Sequence, residues 1–169
     1  FLTRAKNAGF RVPSGLLENA FRWLHAKIQS EVYYTSAVRA EAYAHYVLAR
    51  ENRGDLRKLR HFVDTYGTSF YSMEWAFVAS ALTAYGDAKR ALIAQEKMQA
   101  LSEKGSRYDH YSSGKRQTAA LLHLAAETGY TDAKYQTIAF SLAQKMAGNQ
   151  YLSTQESAWV AMAAHSIET

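Results

Sequence analysis

Six histidines are the side chains best suited to hold a metal or move a proton at neutral pH: His25, His45, His61, His110, His123 and His165. No two lie four residues apart and no His-Glu-x-x-His run occurs, so no helical face offers two imidazoles one turn apart. They read as satisfied or solvent-edge residues and not as metal ligands. Cysteine is absent, which removes disulfides, thiolate zinc ligation and cysteine nucleophiles from this chain. Neither a metal nor a cofactor is expected.

Carboxylates could do glycosidic chemistry, which needs two carboxyl groups facing each other across a cleft. Glu41, Glu74, Asp109 and Glu156 lie near the starts of apolar segments. Glu156 has a structural reading: Ser153-Thr154-Gln155-Glu156 is a capping box, with Glu156 reaching back to the Ser153 amide. Glu41 and Glu74 fall within a turn of their helix starts, where a negative charge meets the positive dipole end. Asp109, in the aromatic loop Tyr108-Asp109-His110-Tyr111, is left without such a reading. Asp109, His110 and Ser112 are neighbours in sequence, which is not the spatial convergence a catalytic triad needs, and no Gly-x-Ser-x-Gly turn occurs. Tyr33, Tyr34 and the loop tyrosines read as packing or surface residues. No catalytic residue is assigned.

The elements that carry these side chains follow from apolar spacing. The chain has 169 residues, 48% hydrophobic and 13% aromatic, enough for a folded core. Its one proline, Pro13, leaves long helices uninterrupted. Nine helices are predicted. The first ends at Gly9. The others run from about Pro13 to Gln29, Ser36 to Arg50, Asp55 onward, Ser72 to Tyr85, Asp87 to Glu103, past the Gly105–Gly114 loop, Asp132 to Met146, and Ser153 to Ile167. In the third, Ala40, Tyr43, Ala44, Val47 and Leu48 form one stripe. The fifth, seventh and ninth are apolar nearly all round and must be covered on every side, whereas the fourth, sixth and eighth carry one charged face. That alternation predicts an all-α protein of two layers, alanine-rich inner helices inside amphipathic outer ones: an α/α toroid or an α-solenoid. A junction recurs: Leu48…Gly54-Asp55, Leu82…Gly86-Asp87 and Leu124…Gly129…Asp132. In each, glycine is expected to end an inner helix and aspartate to cap the next outer one.

The net charge of +5 is spread over Arg57, Lys58, Arg60, Lys89, Arg90, Lys115 and Arg116, with acidic residues interleaved. This reads as a solvated outer face and not as a nucleic-acid surface. No apolar run reaches the roughly 20 residues that span a bilayer, and no signal peptide is visible. The opening Phe1-Leu2-Thr3-Arg4-Ala5-Lys6, without a methionine, reads as the inside of a longer chain.

Several segments in order resemble the thioester domain of alpha-2-macroglobulins, in particular the bacterial branch. They are Ala8-Gly9-Phe10-Arg11-Val12-Pro13, Ala42-Tyr43-Ala44-His45-Tyr46-Val47-Leu48-Ala49-Arg50 with Gly54-Asp55-Leu56, Ala81-Leu82-Thr83-Ala84-Tyr85-Gly86-Asp87, Tyr108-Asp109-His110-Tyr111-Ser112-Ser113, and Tyr151-Leu152-Ser153-Thr154-Gln155-Glu156-Ser157-Ala158-Trp159. The resemblance covers nearly the whole chain. It implies that residues 1–169 are a single helical domain, the C-terminal portion of a complement-like thioester domain, and so an incomplete ring of an α/α toroid. The family's Cys-x-x-Gln thioester has no counterpart here. The resemblance also implies a periplasmic parent, a lipoprotein held at the inner membrane, that inhibits endopeptidases as a broad protease trap and is not an enzyme. Its partners would be proteases and other domains of the parent chain, with no nucleic acid and no membrane insertion by this part. An incomplete ring should expose apolar surface along its open seam. Two competing readings are an α/α-toroid enzyme acting on polysaccharide or isoprenoid, for which Asp109→Ala should abolish turnover, and an open α-solenoid binding scaffold.

Overall fold

Caps and left-handed residues set the helix ends in the computed structural model, which describes residues 2–28, 35–102, 113–129, 133–148 and 151–168. Among them are α1 (Leu2–Asn7), α2 (Ser14–Lys27), α3 (Thr35–Arg50), α4 (Leu56–Tyr66), α5 (Ser72–Ala84), α6 (Ala88–Ser102), α7 (Gly114–Glu127), α8 (Ala133–Met146) and α9 (Thr154–Glu168). A short 3-10 turn follows α4. No strand occurs among the described residues, and none of their helices is long and apolar enough to cross a membrane.

The layers are as the pattern requires. Helices α3, α5, α7 and α9 pack one on the next, while α2 and α4 lie on α3, α6 on α5 and α8 on α7. Every residue of α5 from Ser72 to Leu82 is buried, as an all-apolar helix demands. The inner row is curved: Tyr43 of α3 and Trp159 of α9, at opposite ends of the row, line one cleft with Phe77 of α5 and Ala120 of α7. A straight stack would keep them apart, so the arrangement is an arc of an α/α ring.

Two expectations need correction. The face of α3 turned into the structure is Val38, Ala42, Tyr46 and Ala49 together with Ala44 and Leu48, whereas Ala40 and Tyr43 are exposed on the concave side of the arc. The outer helix α2, whose Leu17 and Phe21 cluster with Ala44 and Leu48, and the inner helix α5 both claim α3, so its buried surface is wider than one stripe. Helix α9 is apolar all round, yet Ala163 is the one wholly buried residue among those described in it. Packing reaches it from α7 and leaves its other side open, which is the exposed seam that the incomplete ring predicts.

The repeated junction is real, but its chemistry differs between copies. Gly86 and Gly129 hold left-handed φ angles of 74° and 70°. After α3 the left-handed residue is Asn52, at φ 52°, and not Gly54. Asn52 and Gly86 close the same pair of bonds: Asn52 N–H to Ala49 O and Arg53 N–H to Leu48 O, against Gly86 N–H to Thr83 O and Asp87 N–H to Leu82 O. Asp55 caps α4 through the Arg57 amide at 2.8 Å. Asp132 lies outside the described residues.

Gly54 serves close approach instead. A Cβ there would sit 2.0 Å from Tyr85 Oη, a buried hydroxyl with no hydrogen-bond partner. Gly54→Ala should therefore cost about 1–3 kcal/mol through overpacking. Tyr85→Phe alone should be neutral or stabilising, since it removes an unsatisfied buried oxygen. In the double variant Tyr85→Phe should recover most of the Gly54→Ala loss. Urea unfolding of the four proteins checks this, and additive losses would contradict the packing account.

Candidate functional site

Two of the four candidate carboxylates, Glu156 and Glu74, are occupied at helix starts. Glu156 accepts from Ser153 N–H at 2.7 Å, and Ser153 Oγ accepts from Glu156 N–H at 3.2 Å, the reciprocal capping box. Glu156 also accepts from Ser113 Oγ at the start of α7. That bond, then the Ser153 backbone and hydroxyl bonds, lowers its pKa below the ordinary glutamate value. Glu74 accepts from Tyr71 N–H at 2.9 Å and pairs with Arg39 of α3. Gln117 of α7 donates to Ser72 Oγ of α5 at 3.2 Å. One polar tie thus joins each inner helix start to the next: α3 to α5, α5 to α7 and α7 to α9. Glu41 is placed differently from the expectation. It lies in the second turn of α3, away from the helix start, with Oε1 3.8 Å from His45 Nε2. The loop holding Asp109 lies outside the described residues.

Beside these ties a cleft of about 410 Å³ opens on the concave face, lined by Arg39, Tyr43, Phe77, Arg116, Gln155 and Trp159 among others. A second, of about 730 Å³, lies between α1 with its connection to α2 and the exposed side of α9. Among the described residues neither is lined by a carboxylate. The facing pair of acids that glycoside hydrolysis requires is therefore not offered by these clefts.

The strongest electrostatic feature sits at the other end of the inner helices and was not foreseen. Glu127, the last residue of α7, accepts from Arg4 of α1 at 2.8 Å, from Tyr46 Oη of α3 at 2.8 Å and from Arg50 of α3. His123, one turn back, has Nε2 3.0 Å from Glu127 Oε1 and 2.6 Å from the Arg4 guanidinium, and Nδ1 2.6 Å from Ser166 Oγ of α9. Burial pushes the Glu127 carboxyl up. The bond and charge that a protonated His123 supplies, the Arg50 charge and the Tyr46 bond outweigh it and hold the pKa at about 2. Burial and the Glu127 charge push the Tyr46 phenol up to about 12. The signal for this cluster was present in the sequence. A glutamate at the C-terminal end of an apolar helix opposes the dipole and needs cations from elsewhere. His123-Glu127 and Tyr46-Arg50 are both spaced by four.

His123 is satisfied, as read. His45 departs from that reading: it is buried against the Phe62 ring at 5.2 Å with an Nε2 that has no hydrogen-bond partner among the described residues, while His61 and His165 are exposed and His25 is half-buried. His110 lies outside the described residues. Among the described residues no three of His, Asp and Glu are placed to share an ion.

Fold and side chains together define a helical-hairpin scaffold of the α/α-ring class, whose polar residues tie helices to one another. No family model matches the chain. The alpha-2-macroglobulin of Escherichia coli K12 is 28% identical over 180 residues, covering 99% of this chain and 11% of that protein. That of Xylella fastidiosa Temecula1 is 32% identical over 172 residues, covering 92% of this chain and 10% of that protein. Among solved structures, native alpha-2-macroglobulin from Escherichia coli spanning domain MG7 to the C-terminus matches with a TM-score of 0.85 at 26% identity, over 98% of this chain and 28% of that one. Salmonella alpha-2-macroglobulin reacted with methylamine matches with a TM-score of 0.84 at 27% identity, over 98% of this chain and 11% of that one. Escherichia coli alpha-2-macroglobulin activated by porcine elastase matches with a TM-score of 0.83 at 26% identity, over 99% and 16%. The chain is thus similar, along nearly its whole length, to one segment of the bacterial alpha-2-macroglobulins, and the resemblance read from its ordered motifs holds. It spans about a tenth of the length of the curated relatives it matches.

Proposed function

We propose that this chain is the C-terminal portion of the thioester domain of a bacterial alpha-2-macroglobulin-like endopeptidase inhibitor. The observation that carries this is collinear similarity over 92–99% of the chain to alpha-2-macroglobulins, at 28–32% identity. The relatives of known structure include one reacted with methylamine and one activated by elastase. In this reading a protease cleaves elsewhere in the parent, the parent rearranges, and a thioester outside this chain acylates a lysine or hydroxyl of the attacker. The arc of inner helices is the rigid frame for that chemistry. Its polar side chains are spent on helix starts and ends, in keeping with a scaffold and not an enzyme. The parent is assigned to the periplasm, anchored to the inner membrane as a lipoprotein, with proteases and its own other domains as partners.

The test is the intact mass of the parent before and after methylamine, with thiol titration alongside. The expected result is one methylamine adduct with one newly exposed thiol. If neither appears, covalent capture is ruled out. The inhibitor reading then stands only if the parent, after exposure to a protease, blocks cleavage of a large protein substrate and spares a small peptide. Equal protection of both, or of neither, overturns it.

A further inference from the structure

Helix α1 is held unlike any other in the structure. None of its residues is buried; Leu2 packs against the α2–α3 cluster, and Arg4 reaches His123 at 2.6 Å, Glu127 at 2.8 Å and Tyr46 Oη at 3.4 Å. It is joined to α2 through Gly9, whose φ of 85° closes α1 with the bonds Gly9 N–H to Lys6 O and Phe10 N–H to Ala5 O. The tautomer of His123 decides how Arg4 is held. Ser166 Oγ donates its proton to Met162 O at 2.9 Å, so towards His123 it can only accept. The neutral tautomer that satisfies both contacts carries its hydrogen on Nδ1 and presents an Nε2 lone pair to the Arg4 guanidinium at 2.6 Å.

Protonation of the ring reverses this. Nε2–H then faces Arg4 donor against donor and cation against cation, while Glu127 Oε1, 3.0 Å away, becomes the natural acceptor. Release of Arg4 strands nothing. Glu127 keeps Arg50 and Tyr46 and gains His123, and Arg4, already 39% exposed, returns to water. The groups facing the imidazole are Arg4 from α1, Tyr46 and Arg50 from α3, Glu127 on α7 itself, and Trp159 and Ser166 from α9. From α5 the polar contact to this part of α7 is the neutral Ser80, on Leu124 O. On α8, Lys145 bonds Thr118 two turns away and Tyr135 packs on the Leu122 side. We infer that His123 is a protonation switch that unlatches α1 from the inner helices on acidification, opening the 730 Å³ cleft that α1 borders.

Hydrogen exchange of the purified protein, corrected for the pH dependence of chemical exchange, tests this through the segment 2–8 between pH 8 and 5.5. The expected result is a fall in protection of about tenfold, the worth of a charge-assisted bond, with α5 unchanged. His123→Gln keeps an acceptor for Arg4 but cannot be protonated, so the fall should vanish and protection should stay at the pH 8 level. Arg4→Gln should leave the segment equally unprotected at both pH values, and serves alone if His123→Gln fails to fold. An unchanged wild-type segment, or a wild-type-sized fall in either variant, overturns the switch.

Discussion

Glu127→Gln is expected to destabilise the protein by about 1–3 kcal/mol at pH 7, less than for a fully buried pair because Arg4 and Arg50 are 39% and 35% exposed and solvent screens them. Glutamine fills the space of glutamate but leaves Arg4 and Arg50 facing a neutral oxygen. The sign with pH follows from the depressed value. Because the folded protein holds the Glu127 pKa at about 2, below the ordinary 4.5, its stabilisation is complete above about pH 4.5. It is lost progressively as pH falls towards 2. The gap between wild type and Glu127→Gln should therefore be at full size above about pH 4.5 and shrink steadily between pH 4.5 and 3. Urea unfolding at pH 7, 4.5 and 3 measures it. A gap of constant size would mean that the glutamine variant loses packing and not charge.

Layering was legible because it depends on periodicity alone. A run such as Trp75–Leu82, apolar but for Ser80, has no wet face to show, and a neighbour such as α4, with Leu59 and Phe62 opposite Arg57 and Lys58, has one. Caps were legible for the same local reason: the Ser153-Glu156 box depends on four consecutive residues. What escaped were features set by distance in space. Arg4 and Glu127 are 123 residues apart and Arg60 and Asp87 are 27 apart. Arg60, assigned to a solvated exterior, ties one helix to the next. Arg60 bonds the Asp87 carboxylate at 2.7 Å and, with its charge and the Arg90 amide, lowers that pKa. Gly54 was misread through a local rule. Glycine after a helix suggests a left-handed turn, but Asn52 already supplies it, and the absent side chain at position 54 makes room for Tyr85, 31 positions on.

The second large effect is expected at Leu122→Ala. Leu122 is fully buried on α7 in a small apolar cluster with Ala119, Leu142 of α8 and Ala163, the wholly buried residue of α9. Cavity formation at such a site costs about 2–5 kcal/mol. Where the cost falls matters more than its size. Helix α5 is gripped by α3, α6 and α7 and belongs to a core cluster that continues without this leucine. Helix α9 has α7 as its main neighbour, so the lost contacts are a larger share of what holds it. Exchange in residues 154–166 should rise well before that in α5 does. By contrast, Leu92→Ala on the outer face of α6, 52% exposed, should change stability by no more than about 0.5 kcal/mol. If Leu122→Ala instead opened α5 and α9 together, the inner row would unfold as one cooperative unit, and the exposed seam along α9 would carry no local weakness.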